Sequence, residues 1–130
     1  MSFSDLRQRL TRLLVEPFPN QARRELLLDN LFVLLEKIEA EGGASIFSEF
    51  WIDGSFVTKK EEPNDIDIVV IHATGIQLSR ELVDSDSWYS RYRCDIHYVE
   101  FGDRPTKGYY QDCFGSDRDN YPKGIIRIRF

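Results

Sequence analysis

Cysteine is scarce: Cys94 and Cys113 are the only two in 130 residues. Two are too few for a disulfide framework, so both are expected as reduced thiols in a cytoplasmic protein. Long apolar runs are missing as well. None approaches the roughly 20 residues that cross a bilayer, and Met1-Ser2-Phe3-Ser4-Asp5 lacks the apolar stretch of a secretory signal. No membrane partner is expected. Nor is there an excess of positive charge: 17 Lys and Arg stand against 22 Asp and Glu, a net charge of −5. Bulk DNA or RNA binding needs a basic surface and is excluded on that ground. A nucleotide is not excluded, because a metal and a few cations can meet its phosphates locally. Repeats and low-complexity tracts are absent too, so residues 1–130 read as one domain. With 42% hydrophobic and 13% aromatic residues, that domain can bury a core.

The pattern is α+β. Residues 4–15 carry Leu6, Leu10, Leu13 and Leu14 on one helical face, with Ser4 as cap. Pro17 and Pro19 break this pattern. A second helix is expected over 21–41, capped by Asn20, striped by Leu27, Leu31, Leu34, Leu35 and Ile38, and stopped by Gly42-Gly43. Strands are expected at 46–53, where Phe50-Trp51-Ile52 looks buried, at 65–72, at 93–101 and at 124–130. Residues 56–64 read as a loop. Leu78, Leu82 and Val83 allow a short helix within 74–90, and another is expected over 107–114. The outcome is a small mixed β-sheet packed against N-terminal helices.

Chemistry concentrates in Gly54-Ser55 and, ten residues on, Asp65-Ile66-Asp67. A Gly-Ser turn lets backbone N–H groups and a hydroxyl approach a phosphate, although such a turn alone is commonplace. On a strand, Asp65 and Asp67 share one face while Ile66, Ile68 and Val70 anchor the other. Two residues of rise set the carboxylates about 7 Å apart at the backbone. That spacing suits oxygen donors converging on Mg²⁺ or bridging two metals. Asp95, near the start of the next strand, completes the cluster if the two strands are neighbours, as a metal bridge or a general base. Lys59 and Lys60 follow the Gly-Ser turn and are candidates for phosphate contact, as are Arg118 and Lys123 near the C-terminus.

Trp51-Ile52-Asp53-Gly54-Ser55-Phe56 with Pro63-Asn64-Asp65-Ile66-Asp67-Ile68-Val69-Val70 resembles the signature of the polymerase-β-like nucleotidyltransferase superfamily. The narrower resemblance is to small stand-alone bacterial and phage members of the DUF6932 kind. It extends to Arg23-Arg24, to Phe114-Gly115-Ser116-Asp117-Arg118 and to Lys123-Gly124-Ile125-Ile126. The resemblance implies a nucleotidyltransferase fold, Mg²⁺ (or Mn²⁺), and a nucleoside triphosphate as donor. It puts triphosphate contacts on Gly54 and Ser55, metal ligation on Asp65 and Asp67, and the third acid on Asp95. Where many stand-alone members carry Ala-Arg-Gly after the turn, this chain has Phe56-Val57-Thr58-Lys59-Lys60. It also lacks the appended helical domain that many members use to hold an acceptor.

The expected activity is transfer of a nucleoside monophosphate to a hydroxyl of a protein, an RNA or a small molecule. The alternative is a non-catalytic or antitoxin-type module of the same fold, in a toxin–antitoxin or phage-conflict (phage defence) system with a protein partner. Arg23 and Arg24, cations at a helix start where the dipole disfavours them, motivate it. A metal-dependent phosphohydrolase using the same carboxylates is a third option. His97 reads as a partner of Asp95 or a packed residue, Cys94 as a small buried hydrophobe on the face opposite Asp95, and Tyr109 and Tyr110 as packing residues that could stack a base.

Overall fold

In the computed structural model, which describes residues 2–19, 21–53, 56, 63–106 and 126–130, the leucine stripes become two N-terminal helices. The first, α1 (Phe3–Leu14), starts before the expected Ser4. Ser2 is its cap, extended at φ −76°, ψ 158°, its hydroxyl accepting from the Asp5 N–H at 3.1 Å. Leu6, Leu10 and Leu14 are buried, but Leu13 is 59% exposed. At about 100° per residue it lies at the edge of the face those three define, about 20° beyond Leu6. The second helix, α2 (Gln21–Ala40), is central: Leu27, Leu28, Leu31, Leu34, Leu35 and Ile38 are all fully buried. It ends at Gly42, whose φ of 139° admits few side chains; a Cβ there would lie 2.4 Å from Ile46 Cδ1.

The strands β1 (Phe47–Asp53), β2 (Ile66–His72), β3 (Cys94–Glu100) and β4 (Ile126–Arg129) form a mixed sheet in the order β3-β2-β1-β4. β1 runs antiparallel to β2 and β4; β3 runs parallel to β2. A parallel neighbour needs a crossover, and residues 74–93 supply it with two short helices where one was expected within 74–90. These are α3 (Arg80–Val83) and α4 (Ser85–Tyr92), capped by Ser79 and Asp84. Leu82 faces the core and is buried, while Val83, about 100° further round the same short helix, is 47% exposed. The crossover is fastened by Trp88 Nε1 donating to Glu81 O, Asn30 Nδ2 to Tyr92 O, and Ile66 N to Arg93 O.

One face of the sheet packs on the helices through Phe50, Ile52, Ile66, Ile68, Val70, Cys94 and Ile96. Cys94 is on that face as expected, and burial pushes its thiol up to about 12. Trp51, Val69, Ile71 and Val99 form a separate buried cluster on the other face. The expected architecture, a small mixed sheet against N-terminal helices, is therefore observed. No described helix is long and apolar enough to cross a membrane. The Asn20 cap, the 107–114 helix, Cys113, Tyr109 and Tyr110 lie outside the described residues.

Candidate functional site

Topology brings the acids together. β2 and β3 are parallel, so both begin at the same end of the sheet; β1 is antiparallel, so it finishes there. Asp53 ends β1, Asp67 is the second residue of β2 and Asp95 the second of β3. The register sets Asp53 opposite Asp67 and Asp67 opposite Asp95. Cross-strand partners share a face and their strands lie about 4.8 Å apart, so three carboxylates form one row on the face away from the helices. Asp65 sits just before β2, half-buried, and accepts from Tyr89 Oη at 3.4 Å. Asp95, expected to complete the cluster if its strand were adjacent, is brought there by the parallel pairing of β3.

Asp53 is the member that sequence reasoning passed over. Its signal was the period-2 alternation that sets Trp51 and Asp53 on one face of β1. It is 1% exposed and directly opposite Asp67. The electrostatic result is concentrated on Asp67, whose carboxyl is pushed up to about 7. Burial is the main cause, followed by the negative charges of Asp65 and Asp95, a hydrogen bond to Asp95 made by the protonated form, and the charge of Asp53. A proton held between Asp67 and Asp95 thus offsets the repulsion.

Among the described residues no group of three or more His, Cys, Asp or Glu side chains could hold a metal ion as they stand. The donor chemistry nevertheless fits a hard divalent cation: the row is all carboxylate oxygen, the preference of Mg²⁺ and Mn²⁺. His97 stands one pleat behind Asp95 on the same face, with Nε2 at 3.5 Å from Asp95 Oδ1. It is a partner of that acid, as expected.

Gly54, Ser55, Lys59, Lys60, Arg118 and Lys123 lie outside the described residues. Phe56, just after the Gly-Ser pair, is fully buried, and Arg24 holds it. Arg24 Nη1 donates to Leu14 O at 2.9 Å and to Phe56 O at 2.7 Å, and its guanidinium lies 3.5 Å from the Phe18 ring centroid. Arg24, a cation at a helix start where the dipole disfavours it, is fully buried and braces Phe56 against α1 and α2. Arg23 is exposed. Asp29, further along α2, bridges to Arg7 on α1. A cavity of about 530 Å³ opens elsewhere, between α2 and α3–α4, beside the Lys37–Glu81 ion pair and Trp88. None of the candidate carboxylates lines it.

The chain belongs to a family of unknown function, DUF6932, whose model matches residues 3–129. No curated protein and no solved structure matches it.

Proposed function

We propose that this protein is a Mg²⁺-dependent nucleotidyltransferase that moves a nucleoside monophosphate from a nucleoside triphosphate to a hydroxyl. The observation that carries the reading is the row Asp53–Asp67–Asp95, with Asp65 beside it, on neighbouring strand ends. Four carboxylates so placed repel one another, and a divalent cation together with a phosphate-bearing substrate is what such a row is suited to receive. Asp65, Asp67 and Asp95 would hold Mg²⁺ or Mn²⁺, which when bound supplies positive charge to the phosphate oxygens.

The remaining steps fall to the chain itself. The acceptor hydroxyl oxygen forms a bond to the α-phosphorus while the bond to the β-phosphate bridging oxygen breaks, and pyrophosphate leaves. Asp95, the more exposed end of the row, with His97 beside it, would take the hydroxyl proton. Gly54 and Ser55, joined to β1 at Asp53, would contact the triphosphate. Arg24 would keep that turn in place through Phe56 O. The acceptor is a protein, an RNA or a small molecule.

The test is incubation with Mg²⁺ and each labelled nucleoside triphosphate, against protein, tRNA and small-molecule acceptors. Label is expected in one acceptor class with the wild type and not with Asp67→Ala. Wild type indistinguishable from Asp67→Ala in every pairing refutes the reading. The non-catalytic or antitoxin-type alternative loses part of its motivation, since Arg24 is taken up in packing. It would be favoured by nucleotide binding that needs no Mg²⁺ and survives Asp65→Ala.

A further inference from the structure

The first three strands carry no lysine or arginine, whereas β4 reads Ile-Arg-Ile-Arg. Ile126 and Ile128 pack against the helix-side core, so Arg127 and Arg129 stand on the opposite face, that of the aspartates. The register pairs Arg127 with Trp51 and Arg129 with Glu49. Along β1 the next residue on this face after Trp51 is Asp53. The face therefore reads in rows: Asp53, Asp67 and Asp95 in one, and Arg127, Trp51, Val69 and His97 in the next. Arg127 is a diagonal neighbour of Asp53, a separation that long side chains reach across.

Two further features mark this corner. The Arg127 guanidinium lies over the Trp51 ring, 5.0 Å from its centroid, and makes no ion pair with any described residue. Trp51 is 2% exposed, and its indole N–H is buried with no acceptor among the described residues. Buried donors are almost always paired, so one without a partner calls for a ligand or another acceptor.

We propose that the edge strand β4 forms the polyphosphate side of the nucleotide site, with Arg127 contacting the β- and γ-phosphates and the Trp51 indole N–H donating to the same ligand. The inference rests on the nucleotidyl-transfer reading. A triphosphate approaching a row of carboxylates needs fixed positive charge beside it. Arg127 is the strand-borne guanidinium nearest that row, already oriented by the aromatic face beneath it. Arg129 is one row further from the acids and serves as the internal control.

Calorimetric titration of the full chain in Mg²⁺ tests this, using inorganic tripolyphosphate, the four nucleoside triphosphates and the four monophosphates as probes. Arg127→Ala is expected to weaken tripolyphosphate and triphosphate binding at least tenfold and monophosphate binding less than threefold. Arg127→Lys should recover part of the loss, and Arg129→Ala should stay within threefold of wild type. Arg127→Gln, which keeps the stem over Trp51 and removes the charge, gives the same reading if the alanine variant unfolds. Tripolyphosphate binding within twofold of wild type in both Arg127→Ala and Arg127→Gln, with Asp67→Asn impaired, overturns the role of β4 and leaves nucleotidyl transfer standing. A wild-type protein that binds neither tripolyphosphate nor any triphosphate overturns both.

Discussion

Replacing Asp67 by Asn should stabilise the metal-free protein, and the gain should depend on pH in a specified direction. Asp67 titrates at about 7 instead of its ordinary 3.8 because it is buried and ringed by Asp65, Asp95 and Asp53. The folded state therefore holds this proton more tightly than the unfolded chain. Stability from the group is full below pH 3.8, is lost as pH rises through about 7, and is absent above that. At about 1.4 kcal/mol per pH unit the ceiling is about 4 kcal/mol. The side chain is partly solvated and shares its proton with Asp95, so about 2 kcal/mol is the working expectation. In a chain of this length that corresponds to a rise in Tm of roughly 5–8 °C.

The assay is urea unfolding of wild type and Asp67→Asn in EDTA at pH 5.5, 7.0 and 8.5. Asparagine keeps the volume and can donate to Asp95 as the protonated acid does, without ionising. The variant should be the more stable at pH 8.5, and the difference should shrink towards pH 5.5, where the proton on wild-type Asp67 does what the amide does. Taking the difference between the two proteins removes the contributions of titrating groups remote from the row, while those of Asp65, Asp95 and Asp53, which are coupled to Asp67, stay in it. Equal stability at pH 8.5, or a variant that is less stable at every pH, refutes the electrostatic account of the row.

Three other outcomes are expected. Mg²⁺ should raise the Tm of the wild type at pH 8, by the equivalent of about 1.4 kcal/mol at ten times Kd. The effect should weaken at pH 6, where protons compete for Asp67, and be largely lost in Asp67→Asn; thermal scans across Mg²⁺ concentrations check this. Arg24→Met should destabilise by about 2–4 kcal/mol in urea unfolding, because it leaves the buried carbonyls of Leu14 and Phe56 without their donor. Arg23→Met, on the exposed side of the same turn, should stay within about 0.5 kcal/mol of wild type. Arg93, left-handed at φ 54° beyond the end of α4, is a position that favours glycine. Arg93→Gly should therefore raise stability by about 0.5–1 kcal/mol in the same assay, while losing the guanidinium stacked over Tyr89.

The sheet-borne part of the site was legible because strand period is short and rigid. Alternation alone separates Asp67 from Ile66 and Ile68, and Asp95 from Cys94 and Ile96. Adjacency of β3 to β2 is a long-range fact that no local pattern contains, so Asp95 could be assigned only on condition of that pairing. Asp53 was hidden by its position as the last residue of its strand, although alternation from Trp51 already placed it on the acid face. Arg24 was hidden by its charge. At helical spacing it lies on the stripe that continues through Leu27, Leu28, Leu31, Leu35 and Ile38, and the stripe predicts burial for any residue type that finds partners there. The two-helix crossover left little trace because neither helix is long enough to show a period.

The distribution of local conflicts adds a physical argument about where function resides. From Leu27 to Ile38 along α2 the levels agree: good helix formers, an apolar stripe, and a glycine where the chain must turn, with Arg23 and Arg24 at its start the exception. Towards the end of the sheet where β1 finishes and β2 and β3 begin, the levels disagree repeatedly. A row of carboxylates crosses three neighbouring strands, an arginine occupies a left-handed position at Arg93, and a buried indole N–H at Trp51 has no acceptor among the described residues. Each lowers stability, and each could be relieved by an ordinary substitution: Asp67→Asn, Arg93→Gly or Trp51→Phe. Conflicts of this kind persist where a ligand resolves them or a reaction needs them. Their concentration around one strand end, while the 530 Å³ helix-side cavity is bordered by a satisfied ion pair, is the reason for placing the proposed chemistry at the aspartate row rather than in the cavity.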